Sequence, residues 1–136
     1  MKQILFSGSD KTVFDNMESF FTERGIITQW VDTAEKTVSA ISTGENFDLV
    51  ILHEEQPDMA AKELIERIIM KNAMINCVVL SALPEKVFHD TYEGFGVLMQ
   101  LSPTPDREDA GKIMDYLSRI CAISNDTTQK PKGEKN

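Results

Sequence analysis

The sequence predicts an α/β fold: a (βα)5 chain whose five parallel strands form one doubly wound sheet. Three observations predict it. Five short apolar runs alternate with five amphipathic stretches along 136 residues. The runs are rich in Val, Ile, Leu and Phe and largely lack polar alternation, as strands covered on both faces do. The connections are only a few residues long, which suits crossover units of a parallel sheet.

The elements follow in order. Gln3 to Ser7 reads as the first strand, and Val13, Phe14, Met17, Phe20 and Phe21 make the apolar face of the first helix, stopped by Gly25. Ile26 to Val31 is the second strand. The second helix carries Ala34, Val38 and Ile41, with Asp32 and Glu35 as its capping box and Gly44 beyond its end. Asp48 to His53 is the third strand. Asp58 is expected to cap a third helix with the stripe Ala61, Leu64, Ile65, Ile68 and Ile69. Ile75 to Ser81 is the fourth strand, and Pro84 suits the first turn of a short helix bearing Val87, Phe88 and Tyr92 and ending at Gly94. Phe95 to Leu101 completes the strands, and Thr104-Pro105 opens a last helix with Ile113, Met114, Leu117, Ile120 and Cys121 facing inward. A flavodoxin-like strand order is the natural solution at this length, with chemistry at the carboxyl ends of the strands. Residues 1–124 form the expected domain; 125–136 hold no apolar residue and are expected to be a disordered tail.

Charge and cysteine usage exclude several classes. With 14 Lys+Arg against 22 Asp+Glu the net charge is −8, and no basic cluster suits nucleic acid. No apolar run reaches the roughly 18 to 20 residues that span a bilayer, and the N-terminus lacks a signal-peptide pattern. A cytoplasmic protein is expected. Cys77 and Cys121 show neither CxxC nor Cys/His spacing and read as reduced, buried thiols.

The loops at the strand ends carry a family resemblance. The segment Phe47-Asp48-Leu49-Val50-Ile51-Leu52-His53-Glu54-Glu55-Gln56-Pro57-Asp58-Met59 resembles the phosphorylation-site segment of bacterial response-regulator receiver domains. Val78-Val79-Leu80-Ser81-Ala82 is similar to that family's strand ending in a signalling Thr/Ser, and Ser102-Pro103 falls where the family has Lys-Pro. The match covers residues 2 to about 122. The resemblance implies an Asp nucleophile, an acidic pair holding a divalent cation, and a Lys. Here His53 stands at the nucleophile position, Gly8 and Ser9 at the acidic pair, and Ser102 (or Leu101, one register away) at the Lys. A hard cation wants carboxylate oxygens, and none of these residues supplies one. The usual aromatic of the fifth strand is also missing, Met99 being nearest. The resemblance therefore implies a degenerate pseudo-receiver with a remnant pocket of Gly8, Ser9, Asp10, His53, Ser81 and Ser102.

Simpler roles compete at each position. His53 reads as a satisfied polar residue rather than a phosphohistidine or metal ligand, since His53-Glu54-Glu55 is not HExxH spacing. Ser9 or Asp10 reads as the cap of the first helix. Ser7-Gly8-Ser9-Asp10-Lys11-Thr12 resembles the phosphate loop of flavodoxins, but the loops after the third and fourth strands lack the Trp or Tyr that a flavin ring needs. The seven Met read as core filling, and Glu54-Glu55 and Glu108-Asp109 as solvated acidic faces.

The function expected is a stand-alone protein-interaction module of bacterial two-component-type signalling, not phosphorylated and not an enzyme. No catalytic residue, metal or cofactor is expected, and no output domain. The alternatives are a phosphate- or nucleotide-binding domain using Ser7 to Thr12, or an unconventional phosphoacceptor at His53 or Ser81. The expected partner is a signalling protein such as a histidine kinase or another receiver, with a homodimer as a further option; nucleic acid and membrane are not expected. Val87, Phe88, Tyr92 and Met99 form the expected interaction face, Tyr92 as an exposed anchor.

Overall fold

A computed structural model describes residues 3–44 and 46–129. The strands are β1 (Gln3–Ser7), β2 (Ile27–Val31), β3 (Leu49–His53), β4 (Asn76–Leu80) and β5 (Val97–Leu101). They form one parallel sheet in the order β2-β1-β3-β4-β5. The helices are α1 (Asp15–Thr22), preceded by a 3₁₀ turn over Lys11–Phe14, then α2 (Ala34–Ser42), α3 (Ala61–Lys71), α4 (Glu85–Tyr92) and α5 (Arg107–Gln129). The predicted alternation stands; β1 keeps its expected bounds and each of the other four strands is one or two residues shorter.

Two apolar layers sandwich the sheet. Leu5, Val50, Leu52 and Val79 pack one face against α2, α3 and α4. Ile4, Phe6, Ile51 and Leu80 pack the other against Phe14, Met17, Phe21, Ile113 and Leu117. The uninterrupted apolar runs are explained for the three central strands, whose described interiors are almost wholly buried. The edge strands differ: β2 and β5 are mostly half-exposed, because each has a neighbour on one side only.

Several caps depart from expectation. Thr33, not Asp32, caps α2 through its hydroxyl, which accepts the Lys36 amide at 3.1 Å. Asp32 instead pairs with the Lys36 ammonium at 3.0 Å. Asp58 makes no cap on α3, which starts behind Ala60; its carboxylate reaches across to α2. The last helix opens at Arg107 rather than at Thr104-Pro105, because Asp106 and Asp109 exchange side-chain-to-amide hydrogen bonds at 2.9 and 3.0 Å. It runs on through 125–129, which the tail expectation had left out, since an established helix extends at little cost per residue. The remainder of that tail, 130–136, and the side chains of Ile120 and Cys121 lie outside the described residues. Cys77 is buried and free, and burial pushes its thiol up to about 12.

The methionines also divide. Met17 is core, but Met70 in the last turn of α3 and Met74 in the turn beyond it are 85% and 84% exposed, against the core-filling expectation for them. No helix among the described residues is long and apolar enough to cross a membrane.

Candidate functional site

The carboxyl ends of β1 and β3 form a cleft of about 200 Å³ lined by Gly8, Ser9, Asp10, Val13, His53 and Glu55. Four of the six expected pocket residues thus come together. Ser81 and Ser102 do not line it.

Gly8 closes the floor of the cleft. A Cβ there would meet the Phe14 ring at 3.1 Å and the His53 Cβ at 3.2 Å, closer than ordinary contacts. Its carbonyl accepts the Trp30 indole N–H at 2.9 Å, which fixes this turn against β2. Asp10 caps the 3₁₀ turn: its carboxylate accepts the Thr12 amide at 3.0 Å and the Thr12 hydroxyl at 2.6 Å. Those two bonds, the hydroxyl's first, hold its carboxyl below the ordinary range. The cap expected at Ser9 or Asp10 is therefore Asp10.

His53 is half-buried, and its Nδ1 accepts the Glu55 amide at 3.0 Å. In the neutral ring this leaves the proton on Nε2, so neither nitrogen offers a free lone pair to the cleft. Behind it, the Gln56 side-chain amide donates to the carbonyls of His53 (2.9 Å) and Ser7 (3.2 Å), knitting the two strand ends together. Among the described residues no group of three or more His, Cys, Asp or Glu side chains is placed to hold a metal ion.

Ser81 is buried at the end of β4 and faces another way. Its hydroxyl donates to one oxygen of Glu54 at 2.7 Å and accepts the Leu83 amide at 3.0 Å. The other Glu54 oxygen accepts the Tyr92 hydroxyl at 2.7 Å. Glu54 is therefore not the solvated acid expected. Ser102 stays at the surface, where its hydroxyl accepts the Thr104 amide at 3.2 Å.

The expected interaction face is corrected by the same bond. Tyr92 and Phe88 are only 5% and 8% exposed, their rings 4.7 Å apart, because the Tyr92 hydroxyl is drawn inward to Glu54. Burial, then the Glu54 carboxylate, pushes the Tyr92 phenol above its ordinary range. Val87 remains 44% exposed and Met99 half-exposed. A groove of about 990 Å³ runs between α4 and β5 and includes Phe88, His89, Tyr92, Val97 and Met99 in its walls.

No protein-family model matches this chain, and no curated protein does. Solved structures do. A CheY-like receiver domain from Methanospirillum hungatei JF-1 superposes with a TM-score of 0.76 at 19% identity, over 88% of this chain and 95% of its own. The chemotaxis response regulator CheY4 of Vibrio cholerae gives 0.75 at 13% identity, over 85% and 98%. The fold is that of a receiver domain. An adenylate cyclase structure from Rhodopirellula baltica is also similar, with a TM-score of 0.75 at 10% identity over 95% and 98%, so the receiver fold alone does not name an activity.

In this receiver fold the cleft occupies the place where ligands meet a doubly wound sheet, beside the point at which strand order reverses. What it presents there is a glycine, a serine hydroxyl, the Val13 side chain, the capping carboxylate of Asp10, an imidazole whose Nδ1 is engaged, and the exposed carboxylate of Glu55. Glu54 and Gln56 were missed as organising residues. Their signal was present, since polar side chains directly after a buried strand need partners, but the partners lie far away in sequence.

Proposed function

We propose that this chain is a protein-interaction module of two-component-type signalling that works without phosphorylation. The observation that carries the proposal is the cleft itself. Gly8 and Ser9 stand where the receiver resemblance implies the acidic pair, and His53 where it implies the nucleophile. Gly8 is walled by the Phe14 ring, so the missing carboxylate has no vacant space reserved for it. With no carboxylate at any of the three positions, the cation ligands and the acceptor that the resemblance implies are missing there; of the two carboxylates that do line the cleft, Asp10 is engaged with Thr12 and Glu55 is exposed. Catalytic residues, metal and cofactor have no part in this reading, which places the protein in the cytoplasm.

Binding to a signalling partner, a histidine kinase or another receiver, or to a second copy, is assigned to the α4–β5 face. Val87 and Met99 supply its exposed apolar contacts, and Phe88 and Tyr92 support it from beneath.

The other readings find less support. The Asp10 carboxylate already occupies the Thr12 donors that a phosphate bound at Ser7 to Thr12 would use. The His53 ring has its Nδ1 lone pair engaged, against a phosphohistidine. Incubation with acetyl phosphate and Mg²⁺, followed by intact mass, tests the proposal. The mass is expected to stay unchanged; a stoichiometric gain of one phosphoryl group, on His53, Ser81 or elsewhere, overturns it.

A further inference from the structure

The outer edge of β2 stands open. Among the described residues β2 has a strand on one side only, and Ile27 and Gln29 lie exposed along it, Ile27 at 61%. The Gly8 amide donates to the Val31 carbonyl at 3.1 Å, so Val31 turns its backbone groups toward β1. Backbone direction alternates along a strand. Ile27 and Gln29 therefore face β1 as well, while Thr28 and Trp30 aim their amides and carbonyls away from the sheet. Natural edges are usually blunted by a charge, a proline or a bulge. Ile27-Thr28-Gln29-Trp30-Val31 has none of these: no residue in it is charged, and its register with β1 runs unbroken from Gln3↔Ile27 to Ser7↔Val31. The opposite edge differs, since the β4–β5 register slips between Cys77 and Val78 and passes over Leu98.

We propose that the β2 edge pairs with the same edge of a second copy of this chain, antiparallel, about a two-fold axis at Gln29. The occupant follows from the strand's own symmetry. With Gln29 on the axis, Thr28 faces Trp30 of the second copy, and Trp30 faces its Thr28. These are the residues with outward amides and carbonyls, so each opposed pair exchanges two hydrogen bonds. On the α2 side, where Val31 packs, Ile27 meets Val31 of the second copy and its exposed side chain is covered by a β-branched partner. On the α1 side the Trp30 ring meets Thr28, and that ring is already held by its indole N–H on the Gly8 carbonyl at 2.9 Å. An axis at Thr28 or at Trp30 would instead set Ile27 or Val31 against Gln29 and leave part of the strand unpaired. No like charges are opposed within the paired strands. The contact lies at the other end of the sheet from the α4–β5 face and uses none of its residues, so it stands or falls apart from the function proposed above.

The test uses the full chain carrying Val87→Glu, which disables the α4–β5 face and leaves β2 as it is. Sedimentation equilibrium is expected to show a reversible dimer, and the fluorescence of Trp30, the single tryptophan, to change over the same concentration range. Gln29→Lys and Gln29→Glu each bring like charges together on the axis and are expected to weaken the dimer by about tenfold. Mixing the two variants sets Lys against Glu and is expected to restore association. Thr28→Pro removes only an outward amide, which the ladder with β1 does not use, and should abolish the dimer with little change in melting temperature. A chain that stays monomeric to about 1 mM, or charge variants that associate within about twofold of the parent, would overturn the proposal. So would a Lys/Glu mixture no tighter than either variant alone, since residue 29 would then not face its own copy.

Discussion

Asp58 caps a helix that is not its own: its carboxylate oxygens lie 2.9 Å from the amide nitrogens of Ala34 and Glu35 at the start of α2. The loop before α3 is thereby tied to the loop after β2, and the positive end of α2 faces a charge built into the chain.

Replacing Asp58 with Ala is expected to lower the unfolding free energy by about 1 kcal/mol, as loss of a helix cap does. Chemical denaturation measures it, and faster amide exchange at the start of α2 locates it. A cost at the start of α3 instead would place the cap where the sequence suggested.

The same group sets a pH dependence. Desolvation raises the Asp58 carboxyl, but the amides of Ala34 and Glu35 outweigh it and hold the group below its ordinary 3.8. A depressed folded value means that the stabilisation is present above pH 3.8 and fades as pH falls through the folded value. The stability difference between the native chain and Asp58→Asn should therefore shrink in acid and stay constant from pH 5 upward.

Gly8→Ala is expected to destabilise the fold by about 1 to 3 kcal/mol, the usual range for overpacking, because its Cβ meets the Phe14 ring and the His53 Cβ. In a Phe14→Leu background the added cost should fall to less than half. Thermal or denaturant midpoints of the four chains decide it. Equal costs in both backgrounds would mean that the ring is not the obstacle.

On the α4–β5 face the two aromatics and the exposed valine should behave oppositely. Tyr92→Ala removes a buried ring and is expected to cost about 3 kcal/mol. Val87→Glu should leave the melting temperature nearly unchanged, since Val87 is 44% exposed, while weakening self-association or partner retention in sedimentation. Unaltered association in Val87→Glu would move the binding face elsewhere.

The (βα)5 order, the core faces of the helices and the glycine stops were legible along the chain because each depends on residues a few positions apart. Period 3.6, unbroken apolar runs and positive-φ positions such as Gly25, Gly44 and Gly94 are local properties. The absence of carboxylates at Gly8, Ser9 and His53 took on meaning only against the receiver resemblance, which supplied those positions.

What the tertiary structure alone decided is which polar groups found one another. Asp58 and α2, Glu54 and Tyr92, and Gln56 and Ser7 are pairs separated by whole elements. No local pattern encodes them, so a helix cap was assigned to its own helix, Glu54 to solvent and Tyr92 to the surface. The physical reason is that a buried polar atom must be satisfied by whatever donor or acceptor the folded chain brings within about 3 Å. Sequence determines the elements through short-range periodicity, but that partner is chosen only when the sheet closes.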